Sequence, residues 1–169
     1  MKWIAISGSW KNINKTVEKD VEKAVLKIVK NGQGIVTGGA PGVDFIATKV
    51  VLEEGNPKKQ LRIYLPIKLT AIVKHLGKRT KEGVIEKDKA KKVVEQLLVI
   101  HKIAPKVILD KTPYKKANIE SYYSRNTKIV KKCDELWAFQ VNESAGTQDA
   151  IDKAKKAGKK VKVKKYCMN

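Results

Sequence analysis

The chain holds 169 residues, with 37 Lys plus Arg against 17 Asp plus Glu, a formal charge of +20. A hydrophobic fraction of 42% is too high for a disordered chain, and the length suits one α/β domain. No stretch nears the roughly 18 apolar residues of a membrane span. So large a positive charge invites a nucleic-acid partner, but only Arg62, Arg79 and Arg125 are arginines, and the lysines are spread over nearly every polar stretch.

Lys2-Trp3-Ile4-Ala5-Ile6-Ser7 reads as a buried strand that delivers the chain to a loop at Gly8-Ser9. Its four consecutive apolar residues are too few for a signal-peptide core, and a cytoplasmic location is expected. Val17, Val21, Ala24, Val25 and Ile28 recur at helical spacing, with Asn14 or Thr16 as a cap and Asn31-Gly32 as the stop. Gly34 to Thr37 is a second short strand, running directly into Gly38-Gly39-Ala40-Pro41-Gly42. The next helix places Val43, Ile46, Ala47, Val50 and Val51 on one face and stops at Gly55-Asn56-Pro57, after which Leu61 to Leu65 is a third strand. Strand, helix, strand, helix, strand at this spacing predicts a mostly parallel sheet covered by helices, a three-layer Rossmann-like α/β domain.

Residues 66 to 118 show weaker periodicity and read as an elaboration of that single domain, with one helix marked by Ala90, Val93, Val94, Leu97 and Leu98 and a short strand at Lys106 to Leu109. His101 falls on the apolar stripe of that helix, where a partly buried, satisfied histidine is expected. A helix over Ser124 to Lys132, a strand over Glu135 to Phe139, a helix carrying Ala150, Ile151 and Ala154, and a last strand alternating at Val161 and Val163 complete the chain. The lysines between Lys153 and Lys165 read as a solvated face. Cys133, Cys167, His75 and His101 stand alone, so neither a disulfide framework nor a metal site is expected, and no cofactor is implied.

Three loops leave the carboxyl ends of these strands: Gly8-Ser9-Trp10, Gly38 to Gly42, and Asn142 to Thr147. Ligands of open α/β sheets bind at that edge. Gly38 and Gly39 let backbone approach a ligand without a Cβ, and a helix beginning near Gly42 aims free N–H groups at the same point, so an anion is expected there. Thr147 reads as the N-cap of the following helix, a position compatible with a phosphate contact. The GxGxxG dinucleotide fingerprint is absent, which disfavours NAD.

Four segments taken in order carry a resemblance: Ile4 to Ser9, Val36 to Asp44, Ser124 to Val130 and Glu143 to Thr147. They resemble the motifs of the Rossmann-like superfamily that contains DNA-processing protein A (DprA/Smf) and the Lonely Guy phosphoribohydrolases. The likeness implies a nucleotide or nucleotide-sugar-phosphate site. Gly38, Gly39 and Gly42 match its glycine-rich phosphate loop and Asp44 the acid after it. Arg125 with Asn126 matches the motif before the Glu135 strand, and Gly146 with Thr147 the second phosphate loop. Lonely Guy hydrolases carry a catalytic glutamate three residues after that threonine, where this chain has Ala150. Asp149 is turned about 100° away along a helix and is a poor substitute.

The ligand-binding set is thus Gly8, Ser9, Gly38, Gly39, Ala40, Gly42, Asp44, Arg125, Asn126, Gly146 and Thr147, with no catalytic residue assigned. Trp10 and the Tyr122-Tyr123 pair are open between base stacking and packing, with packing favoured, and Glu143 is the acid of the last loop available as a base. The preferred reading is a sensor or carrier of a nucleotide or related phosphorylated small molecule. The alternatives are a nucleotide N-glycosidic hydrolase and a DprA-like single-strand binder. Nucleic acid is a weak expected partner and a membrane none, while the state stays open between monomer and homo-oligomer.

Overall fold

Six short strands pair into one sheet in the computed structural model, which describes residues 1–169. The strands are β1 (Trp3–Gly8), β2 (Gly34–Thr37), β3 (Leu61–Tyr64), β4 (Ile108–Leu109), β5 (Glu135–Val141) and β6 (Lys160–Tyr166), in the order β4-β3-β2-β1-β5-β6. Every pairing is parallel, as crossover helices require. On β1, Ile4 and Ile6 enter one core and Ala5, between them, the other.

The helices are α1 (Lys15–Lys30), α2 (Val43–Glu54), the single turn α3 (Pro57–Gln60), α4 (Leu69–Lys81), α5 (Lys87–Ile103), α6 (Ile119–Lys132) and α7 (Ala145–Lys156). The apolar stripes of α1, α2, α4 and α5 share the larger core, and α6 and α7 fill the smaller one. Three layers result, as the alternation of elements predicts. Asn14 caps α1, its side chain accepting from Val17 N–H at 3.0 Å.

Several sequence expectations need correction. Within the weakly periodic segment 66–118 the expected helix and short strand are present as α5 and β4, but α4, which periodicity did not reveal, lies with α5 over the core. Gln96 of α5 ties the segment to α2 by donating to the Phe45 carbonyl at 3.1 Å. Helix α6 begins at Ile119 rather than Ser124, because Asn118 and Ser121 form a reciprocal capping box. Arg125 therefore sits in its second turn. His101 is exposed, since the buried stripe of α5 runs through Val93, Leu97 and Ile100 and leaves its neighbour outward. The α7 N-cap is Ser144, which moves Thr147 to the buried third position of the helix. The tail lysines do more than face water: Lys162 lies 4.3 Å from the Trp137 ring centroid, and Lys164 pairs with Asp20 at 2.7 Å.

Candidate ligand-binding cleft

The strand order reverses at β1, which has β2 on one side and β5 on the other, so the loops after β1 and β5 part at the carboxyl edge. A cleft of about 460 Å³ opens there. Ser9 builds its floor. This buried residue accepts from Val141 N–H at 3.0 Å through its hydroxyl, which lies 3.1 Å from Ser144 Oγ, and Ser144 in turn donates to Thr147 Oγ1 at 2.7 Å. The hydroxyl chain locks the β1 loop to the start of α7.

The glycine loop after β2 packs around a charge. Arg125 donates through Nη1 to the Gly38 carbonyl at 2.7 Å and through Nε to Asn126 Oδ1 at 3.1 Å. A Cβ on Gly38 would stand 2.3 Å from Arg125 Nη1 and 2.9 Å from Asp44 Oδ2, so glycine leaves the space that the guanidinium and the carboxylate fill. Asp44 is buried and accepts from Ala40 N–H at 3.2 Å. Burial pushes its carboxyl above the ordinary range, against the opposing pull of Arg125, and burial likewise depresses the Arg125 guanidinium. Thr37 Oγ1, wholly buried at the end of β2, has no partner within hydrogen-bond geometry.

Ten of the eleven expected residues line the cleft; Gly42 does not. It lies against the β1 loop, where Val43 N–H donates to the Ser9 carbonyl at 3.2 Å, so the first donor of α2 is spent within the fold. Gly39 also differs from expectation: at φ +68° its missing Cβ points at Leu65 and Ile63, 2.7 and 2.9 Å away, so it is the core that requires glycine there. The N–H groups of Gly39, Ala145, Gly146 and Thr147 make no hydrogen bond in the fold and belong to cleft-lining residues. Asn126 is committed to structure, donating through Nδ2 to the Gly146 carbonyl at 3.2 Å and to Asp149 at 2.9 Å.

Asp44 is the one carboxylate among the lining residues. Glu143 stands exposed outside the lining, and Asp149 is taken by Asn126 and Lys153. Ala150 is buried in the smaller core, so the position of the missing glutamate is packed. Among the lining residues that sequence reasoning missed, Ile72, His75, Leu76 and Arg79 form an i, i+3, i+4, i+7 stripe of α4, and Pro66, Ile85 and Ile119 join them. That spacing was the available signal, diluted by the lysines around it.

A Cβ on Gly146, the second residue of α7, would meet no atom within 4 Å. Gly146→Ala is expected to stabilise the chain by up to about 1 kcal/mol through helix propensity. Thermal denaturation checks it, and a fall in melting temperature would show that the fold does not tolerate a Cβ at this position.

No family model and no curated protein matches the chain. Solved structures do. DNA processing protein A from Helicobacter pylori, described for its single-stranded DNA binding mode, superposes on 96% of this chain with TM-score 0.66 and 19% identity. The chain spans 64% of that protein's length. The molybdenum cofactor binding protein of Rippkaea orientalis covers 98% of this chain and 77% of its own, with TM-score 0.60 and 17% identity. The molybdenum cofactor carrier protein of Chlamydomonas reinhardtii covers 96% and 75%, with TM-score 0.58 and 18% identity. The chain thus shares its Rossmann-like fold with DprA and with the molybdenum cofactor proteins.

Proposed function

We propose that the chain binds a nucleotide or a related phosphorylated small molecule at the carboxyl edge of its sheet, as a sensor or carrier. One observation carries this: backbone N–H groups without a partner in the fold, in the Gly39 loop and in the first turn of α7, belong to residues that line a single cleft together with Arg125. Arg125 spends Nε and Nη1 on the fold, which leaves Nη2 for a ligand oxygen. The α7 dipole favours the same charge, and the first turn of α7 holds no acid to compete. The DprA and molybdenum-cofactor-carrier neighbours are consistent with a nucleic-acid or small-molecule ligand at this edge.

Hydrolysis of an N-glycosidic bond is the weaker reading. Oxocarbenium-like chemistry calls on positioned carboxylates, and the cleft offers Asp44 alone, buried beside Arg125. Single-strand binding draws support from residues 153 to 169, which hold eight lysines and no acid.

Gly146→Asp tests the proposal. The position is open and lies in the first turn of a helix, where an aspartate is favoured, so the fold is retained while a carboxylate takes the place of the bound anion. Calorimetric titration with nucleoside monophosphates is expected to show affinity reduced by roughly tenfold or more, the loss of one charged hydrogen-bonding interaction. Unchanged affinity in a folded Gly146→Asp chain overturns the site. Release of free base at about 1 per second or faster would instead select the hydrolase reading. Tight single-strand binding that persists near 0.15 M salt would select the nucleic-acid reading.

A further inference from the structure

We propose that the open part of the sheet face beside α6, over β3 and β4, is a docking surface for an acidic amphipathic helix of a partner protein. None of its residues lines the ligand cleft, so the inference stands apart from the phosphate reading.

The two helical layers are unequal. Two helices packed about 10 Å apart cover about four strands spaced about 4.8 Å apart, and the smaller layer has only α6 and α7 for the six strands. Helix α7 lies over β1, β5 and β6, and α6 over β1, β2 and β3, which leaves β4 and the outer side of β3 without a helix on this face. The side chains there reflect it. Tyr64 and Leu109, paired across the two strands, are only half-buried, and Leu109 belongs to neither core. The Tyr64 hydroxyl has no hydrogen-bond partner in the fold. A cavity of about 330 Å³ is lined by this pair together with Lys111 and with Lys128 of α6.

Cations surround this apolar floor without acids to match them. Arg62 and Lys132 both sit on Trp3, 4.9 and 4.8 Å from its ring centroid, while Lys128 donates to the Lys111 carbonyl at 2.9 Å. None of Arg62, Lys111, Lys128 and Lys132 meets a carboxylate within ion-pair distance. Asp110, the acid of the cavity, is taken by Leu69 N–H at 3.0 Å. An apolar floor between unpaired cations is complementary to an apolar stripe flanked by carboxylates, and a helix placed there completes the layer as its third member. The same features disfavour other occupants. A second copy related by a two-fold axis would set four more cations against these four. An added strand would find only Ile108 and Leu109 to pair with, because β4 follows directly on a 3-10 turn at Pro105–Val107. A nucleic-acid strand stacks on open aromatic faces, whereas the Trp3 ring lies against Gly34 and already carries two cations.

Selection from a displayed library of helical peptides of about 20 residues, long enough for an isolated helix to form, tests it with the full chain as bait at roughly 0.15 M salt. The enriched peptides are expected to carry an apolar stripe flanked by Asp or Glu. By fluorescence polarisation they are expected to bind the wild-type chain at least about tenfold tighter than the Lys111→Glu/Lys132→Glu chain, whose two changes lie at exposed positions and spare the fold. Leu109→Arg keeps the positive charge and spoils the apolar floor, and it too is expected to weaken binding severalfold. Lys155→Glu/Lys156→Glu makes the same change of charge at exposed positions on α7, away from β4, and is expected to leave affinity within about threefold. If no peptide is enriched, if the enriched peptides lack acids, or if the two double variants weaken binding equally, the docking surface is wrong. The proposal is equally overturned if Lys111→Glu/Lys132→Glu leaves the peptides bound but abolishes binding of a labelled oligothymidylate, which would give the face to nucleic acid. Self-association in sedimentation that the same variant abolishes would give it to a second copy and overturn the proposal as well.

Discussion

Arg125→Ala is expected to lower the melting temperature by on the order of 10 °C near pH 7 and by much less near pH 4. Breaking a buried charge interaction by removing one partner costs about 3–5 kcal/mol, and the lower end applies because Arg125 is only half-buried. For a chain of this size each kcal/mol moves the midpoint by about 2–4 °C. The pH dependence follows from Asp44, whose carboxyl is pushed by burial above its ordinary 3.8. The unfolded chain ionises Asp44 near the ordinary value and the folded chain resists. Stability is therefore lost as pH rises from about 4 through the raised folded value. Arg125 limits that loss by favouring the carboxylate. Without it the folded value climbs further and the interval of loss widens, so the gap between variant and wild type grows toward alkaline pH. Arg125→Ala combined with Asp44→Asn removes the titrating group and is expected to recover a large part of the midpoint near pH 7. Thermal scans between pH 4 and 8 decide it: a gap that does not depend on pH, or a double variant no more stable than Arg125→Ala, would sink the electrostatic account.

How much of this was legible in the residues depends on whether the signal was local. Strand, loop and helix around Gly34 to Val51 could be read because each step has its own marker: β-branched run, glycine pair, apolar stripe. Helix α4 was not, since Lys68, Lys74, Lys78 and Lys81 dilute its stripe and no side chain caps its start. The α6 boundary was hidden for another reason. Asn118 and Ser121 make a capping box without the usual glutamate, and Ile119 is an apolar residue that faces water. Within the cleft, the residues of three sequence-distant loops could be gathered because parallel strands deliver their loops to one edge. What periodicity could not show is direction. The missing Cβ atoms of Gly39 and Gly42 were read as room for a ligand, whereas that of Gly39 faces the core, while the residue still lines the cleft, and that of Gly42 faces the backbone of a neighbouring loop.

Gly42→Ala is expected to be the most damaging of the single-methyl changes, lowering stability by about 2–6 kcal/mol. At φ 78° and ψ −127° the residue lies outside even the left-handed region that other residues occasionally adopt. Holding a side-chain-bearing residue there costs about 1–3 kcal/mol. The methyl would also meet Ser9 O at 2.4 Å and Trp10 Cα at 2.8 Å, both backbone atoms that cannot swing aside as a flexible side chain would. Overpacking of that kind adds about 1–3 kcal/mol. The damage reaches the cleft by a short route. Val43 N–H holds the Ser9 carbonyl, and the Ser9 hydroxyl holds Val141 N–H and neighbours Ser144, so displacing the β1 loop loosens the start of α7 as well. Gly38→Ala has a milder expectation, because the nearest atom is the end of the Arg125 side chain, which can move at the cost of its bond to the Gly38 carbonyl. Gly146→Ala has the opposite sign. Urea denaturation of the three variants gives the ordering, and a Gly42→Ala chain within about 1 kcal/mol of wild type, the scale of an ordinary surface glycine, would show that the β1 loop yields and does not brace the cleft.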